Sequence, residues 1–185
     1  MRLTSWLGKK SANPRGRRSW REIARDRSGV AAVEFAMLGL PFLLLLLLLL
    51  ETGGIFIAEL VMDQAVSTVG REVRTGQVTN ADLTEAEFKN KICQEVNFLF
   101  DCANLHVDLR TYGSFSSISN AVPVKNGDID GSGFAYTKPG SEQIAALKVY
   151  YKWPLYTEIM RSSITDMSDR SFVIVGTAVF QTEPF

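Results

Sequence analysis

The sequence has few of the residues that metal and acid–base chemistry need. It holds one histidine, His106, and two cysteines, Cys93 and Cys102, in 185 residues. A structural zinc site takes four nitrogen or sulfur ligands, so this supply excludes one, and no metal or other cofactor is expected. No phosphate-cradling glycine loop and no nucleophile elbow occurs, so no small-molecule substrate is expected either. His106 alternates with apolar neighbours and reads as an outward-facing surface residue. The stretch Asn126-Gly127-Asp128-Ile129-Asp130-Gly131 starts like a calcium-binding EF-hand loop. Its twelfth position is Thr137, and without the bidentate glutamate it reads first as a polar turn, the alternative being a weak calcium site. Asp166-Met167-Ser168-Asp169-Arg170 starts like a metal-dependent adhesion motif, but Arg170 stands where its second serine belongs. Net charge is also lacking, since 20 basic and 20 acidic residues cancel.

That neutrality conceals a division. Residues 1–28 carry nine lysines and arginines against Glu22 and Asp26, a net of +7, so the remainder sums to −7. A basic end of this kind points to a membrane or to nucleic acid. The residues after it decide for the membrane. Val30 to Leu50 contains one charge, Glu34, and ends in eight leucines from Leu43. As a helix it spans about 32 Å, close to the roughly 30 Å hydrocarbon core. Lipid leaves backbone groups no partner outside the segment, so the run must be helical, with a kink expected at Pro41. The basic residues precede the span, and Glu51, Glu59 and Asp63 come after it before Arg71. The positive-inside rule keeps the N-terminus cytoplasmic and exports the C-terminal part. The alternative, a core helix of a soluble protein, would need far more surrounding chain.

Other leader types fit less well. A secretory signal would need a small-residue cleavage site, which Glu51-Thr52-Gly53-Gly54 does not supply. Arg17-Arg18 stands too far from the apolar run for a twin-arginine signal, and no cysteine stands just after the run as a lipoprotein would require.

The junction reads Arg25-Asp26-Arg27-Ser28-Gly29, then Val30-Ala31-Ala32-Val33-Glu34-Phe35. It resembles a type IV (class III) prepilin: a basic leader, glycine, then an apolar helix with glutamate fifth and an aromatic residue sixth. The resemblance implies cleavage by a prepilin peptidase between Gly29 and Val30, with the helix retained. Glycine suits close approach by a protease because it has no side chain. A charged carboxylate inside hydrocarbon costs up to about 3 kcal/mol, so Glu34 needs a partner. The resemblance names one, the new amine of Val30 on a neighbouring subunit. The bland alternative is a headgroup-level Glu34 favouring the positive end of the helix dipole.

More closely, the chain is similar to the TadE-like family of the tight-adherence (Flp) pilus system. Arg74-Thr75-Gly76-Gln77, the Cys93 to Cys102 region, Val107-Asp108-Leu109-Arg110 and Tyr150-Tyr151-Lys152-Trp153-Pro154 carry the likeness beyond the junction motif.

Past the span, Ala58, Val61, Met62, Ala65, Val66, Val69 and Val73 recur at helical spacing and predict a continued amphipathic helix packed on its own domain. Gly76 is a natural stop, and Gly53-Gly54 are expected to loosen the helix. Thr84-Glu85-Ala86-Glu87 is a capping box that opens a second helix with Phe88, Ile92, Val96 and Leu99 inward. Residues 105–110 and 147–153 alternate as strands, the second ended by Pro154. Phe172–Phe180 is apolar on both faces and reads as a central strand, while 114–140 reads as loop. An even cysteine count in an exported domain suggests a Cys93–Cys102 disulfide, the alternative being two buried thiols.

The expected organisation is a basic cytoplasmic leader (1–29), a transmembrane helix (30–50), an amphipathic extension (51–76) and a periplasmic α+β domain (77–185) with a helix pair on three or four antiparallel strands. The family resemblance implies a minor-pilin-like (pseudopilin) assembly component, single-pass in the bacterial inner membrane. It implies as partners prepilin peptidase, other pilins or pseudopilins, the Tad inner-membrane machinery and the lipid bilayer, and no nucleic acid. The rivals are an uncleaved membrane-anchored scaffold and a membrane-tethered enzyme or ligand-binding domain, and the second lacks a catalytic constellation.

Overall fold

The computed structural model describes residues 29–165 and 167–185. The basic leader before Gly29, with its positive charge and Arg17-Arg18 pair, lies outside the described residues, as does Asp166. The chain divides into two compact units between Leu43 and Leu44.

The dominant element is helix α1, Val30–Arg74, 45 residues long. It runs through Pro41 and through Gly53-Gly54 without a break. Thr52 Oγ1 donates to the Leu48 carbonyl at 2.8 Å, and Ile55 and Ala58 are buried, so packing resumes directly after the glycines. The apolar stripe behaves as its spacing predicts: Ala58, Met62, Ala65, Val66, Val69 and Val73 all belong to the core. Gly76 ends the run in the left-handed conformation (φ 77°), and a short helix α2, Gln77–Asn80, comes next. Helix α3, Glu85–Val96, opens with the full capping box: the Thr84 side chain accepts from the Glu87 amide, and the Glu87 carboxylate accepts from the Thr84 amide at 2.8 Å. Phe88, Ile92 and Val96 are its buried face.

Among the described residues the strands are β1 His106–Tyr112, β2 Val124–Lys125, β3 Asp128–Ile129, β4 Ile144–Trp153 and β5 Phe172–Gln181. The main sheet is antiparallel in the order β1-β4-β5, and β2 and β3 form a separate hairpin. A six-residue helix, α4 Glu158–Ser163, lies between β4 and β5. The architecture is therefore α+β, as the patterning predicts. The central strand, however, is β4, and β5 is an edge. Apolar residues on both faces predict a central position for Phe172–Phe180, yet Thr177 and Val179 are exposed. By contrast, Ala145 through Tyr151 are all buried.

The sheet has two differently covered sides. On one, Leu109 pairs across Leu147 and Val107 across Val149. On the same side Val149 pairs across Gly176, and Leu147 across Ala178. Helices α1 and α3 close this side into the main core. Gly176 is required there. A Cβ on it would stand 2.7 Å from Val66 Cγ2 and 2.8 Å from Met62 Cγ, distances that real Cβ atoms do not adopt. The other side is covered by the segment between β1 and β4. Phe134 stacks on Tyr150 with centroids 5.1 Å apart and planes within 6°. The Leu109 amide donates to the Ala135 carbonyl at 2.8 Å, which also covers the free edge of β1. Residues 114–140 are thus not bare loop: they hold the β2–β3 hairpin, whose turn is Asn126-Gly127, both at positive φ.

Candidate assembly site on the N-terminal helix

The sequence-derived site residues gather at the start of α1. Gly29 is exposed, and nothing lies within 4 Å of the position its Cβ would take. Val30 is the first residue of α1, and Gly29 before it is in 3-10 conformation. Glu34 stands one turn later and is exposed, and Phe35 beside it is 78% exposed. No acidic residue stands in the first turn of α1.

From Val33 to Leu50 nearly all the large apolar side chains project outward, Leu50 still 65% exposed. Leaving a leucine in water forgoes about 1.5–3 kcal/mol relative to burying it. A run of them makes this surface incompatible with water as its solvent. α1 is long and apolar enough to cross a membrane, and its most apolar window is buried nowhere in the protein. This arrangement is consistent with a membrane-anchored protein.

No motif singles out Glu51, directly after the apolar run. Its carboxylate accepts from the backbone amides of Tyr156 and Thr157, the latter at 3.2 Å to each oxygen, and from the Thr157 hydroxyl. The contact ties α1 to the chain just past β4, 106 residues away in sequence, a separation no local pattern reveals. Glu51, Leu47 and Leu50 line a cleft with Trp153 and Tyr156.

In the domain, Cys93 near the end of α3 and Cys102 stand at disulfide distance, with sulfurs 1.94 Å and Cα atoms 5.6 Å apart. The second side of the sheet carries polar groups that are paired. Arg110 donates two bonds to the buried Asp108, at 2.7 and 2.8 Å, and the Ala135 amide adds a third at 2.9 Å. Lys148, opposite Asp108 in the register, donates to the Ser119 carbonyl. His106 faces this side, not open solvent. It is half-buried near Phe134, and burial first, then the charge of Lys89, lowers its pKa. Burial first, with the Asp108 carboxylate, pushes the Tyr150 hydroxyl up to about 12.

The carboxylates of the EF-hand-like stretch have other duties. Asp128 pairs with Lys152 at 3.0 Å, and Lys152 also holds Asp169 at 2.9 Å. Asp130 accepts from the Ser132 amide at 3.0 Å. Asn126-Gly127 is a polar turn, and an Asn-Gly pair between short extended segments is the signal that finds such a hairpin in a sequence.

The match that decides the relationship starts at the glycine where the helix begins. Residues 29–71 match the family model described as TadE-like protein. The TadE-like segment coincides with α1 almost to its end and stops short of the sheet. No curated protein and no solved structure gives a significant match. α1 offers a helix whose first part can pack against lipid or other helices, and whose second part helps to build a folded domain.

Proposed function

We propose that this chain is a minor-pilin-like (pseudopilin) assembly component of a Tad/Flp pilus, working by helix and domain contacts and not by catalysis. The leader stays in the cytoplasm, α1 is held in the inner membrane through residues 30–50, and the disulfide-bearing domain is periplasmic. Prepilin peptidase removes the leader between Gly29 and Val30. Glu34 then meets the freed amine of Val30 on a neighbouring subunit, which offsets the cost of keeping a carboxylate in hydrocarbon.

The TadE-like match carries this reading. It begins at Gly29, and the helix begins at Val30, so the glycine stands exposed at the step from leader to helix.

Intact mass and N-terminal sequencing of protein from native membranes test it. A terminus at Val30 supports processing and pilus assembly. A retained leader rejects processing and leaves an uncleaved anchored scaffold of the same apparatus. Gly29→Ala is expected to leave the precursor uncut, and normal maturation of that variant would refute the prepilin assignment.

A further inference from the structure

The chain between β4 and β5 has the chemistry of a foot that rests on the membrane surface. It leaves β4 through Trp153 and Pro154, turns at Tyr156 and Thr157, and forms α4. Three of its apolar residues are turned out: Tyr156 is 80% exposed, Ile159 50% and Ile164 43%, while Leu155 is buried. Ile159, Met160 and Ile164 fall along one side at helical spacing. Glu158, Arg161 and Ser162 occupy the other, where Glu158 pairs with Arg170 and, at 3.9 Å, with Arg161. An isolated exposed isoleucine needs no explanation. A stripe of them beside a tryptophan and a tyrosine does.

The position of this stripe is set by Glu51. The residue closes the apolar run of α1, and its carboxylate holds the Tyr156 and Thr157 amides and the Thr157 hydroxyl. Trp153 and Tyr156 therefore share a cleft with Leu47 and Leu50, the last leucines before Glu51. The exposed apolar surface of α1 also continues on another face through Phe56, Ile57 and Leu60, so it does not end abruptly at Glu51.

We infer that Tyr156, Ile159 and Ile164 form an interfacial foot that inserts into the outer headgroup layer of the same bilayer that α1 crosses, with Trp153 anchoring its base against Phe100. The occupant is lipid. The stripe adjoins the outward-facing leucines at the cleft of Leu47, Leu50 and Tyr156, and it sets an aromatic side chain beside exposed isoleucines, a composition that suits the membrane–water boundary. The inference rests on reading residues 30–50 as a membrane span. Glu51 is the positioning residue, because its hydrogen bonds hold the foot level with the end of that span.

The test uses the full chain reconstituted in vesicles of phosphatidylethanolamine and phosphatidylglycerol, with a nitroxide at one engineered cysteine and the native pair left oxidised. Accessibility to oxygen and to a water-soluble nickel chelate gives depth at Ile159→Cys, with Leu46→Cys as the span reference. Gln77→Cys is the aqueous reference: Gln77 is exposed and lies just past Arg74, the end of α1. At helical rise Arg74 is about 35 Å along α1 from Glu51.

The expected result is a label at 159 that oxygen reaches and nickel does not. Its depth should fall within about 5–10 Å of the headgroup–acyl boundary, shallower than 46, with nickel accessibility several-fold below that at 77. Tyr156→Cys reads the same depth if the first variant fails to reconstitute. A label at 159 as open to nickel as the one at 77, with 46 deep, overturns the foot and leaves the span intact. A label at 159 shielded from both reagents overturns lipid as the occupant and indicates a protein partner. A label at 46 in water overturns the span and the foot together. Adding Glu51→Ala should raise nickel accessibility at 159 toward the value at 77, and no change there would overturn the positioning role of Glu51.

Discussion

Two stretches of α1 have the same backbone and opposite logic. From Val33 to Leu50 the helix is dense in large apolar side chains, exposed and in contact with little of the protein. From Ala58 to Val73 it is a narrow stripe, buried on one side, with Glu59, Asp63, Ser67 and Arg71 on the others. The first stretch is specified by quantity, since one leucine serves as well as another in a fluid solvent. The second is specified by shape. Small residues on both partners let the helix approach the sheet: a Cβ on Gly176 would collide with Met62 and Val66, and one on Gly70 would stand 3.0 Å from Ala178 Cβ. Interiors packed at crystal-like density tolerate little added volume, whereas a lipid surface adapts.

The strongest way to break this contrast is Gly176→Val. With Met62 and Val66 already at the site, overpacking is expected to cost at least about 1–3 kcal/mol. A drop in the thermal midpoint in mild detergent checks it, while amide-exchange protection within residues 36–48 stays unchanged. An unaltered midpoint would mean that the sheet is free to move away from α1. Reducing the Cys93–Cys102 pair comes next. The pair closes a loop of about ten residues, worth about 2–3 kcal/mol in the chain-entropy model. Denaturant midpoints with and without reductant measure it, and coincident midpoints would argue against a formed bridge. The smallest effect belongs to Thr84→Ala. Losing the capping hydroxyl should cost about 1 kcal/mol, seen as faster exchange in the first turn of α3 and no change in α1. Equal protection in the two proteins would show that tertiary packing alone holds that turn.

Much of the fold was legible because local chemistry and tertiary structure agree. The stripe from Ala58 to Val73, the capping box at Thr84, the stop at Gly76 and the strand end at Pro154 all occur where their residue types demand. Two of the departures share one source. Apolar residues on both faces predict a central β5, but burial on both faces of a strand depends on what the rest of the chain lays over it. Segment 114–137 covers β4, and among the described residues β5 has no outer strand partner in the main sheet. The expectation of a solvent-facing His106 fails for the same reason: alternation distinguishes two sides of a strand and does not say whether the second side is covered.

Sequence alone determined the apolar length of residues 30–50, the basic leader before it and the Gly29 to Phe35 motif, because each is a property of contiguous residues. It also determined most of the helices and strands, because their periodicities are local. Tertiary structure alone decided the order β1-β4-β5, the close seat of α1 on Gly176 and the bonds from Tyr156 and Thr157 to Glu51. Those depend on groups far apart in the chain meeting in space, and no residue carries a local signature of a partner 106 positions away.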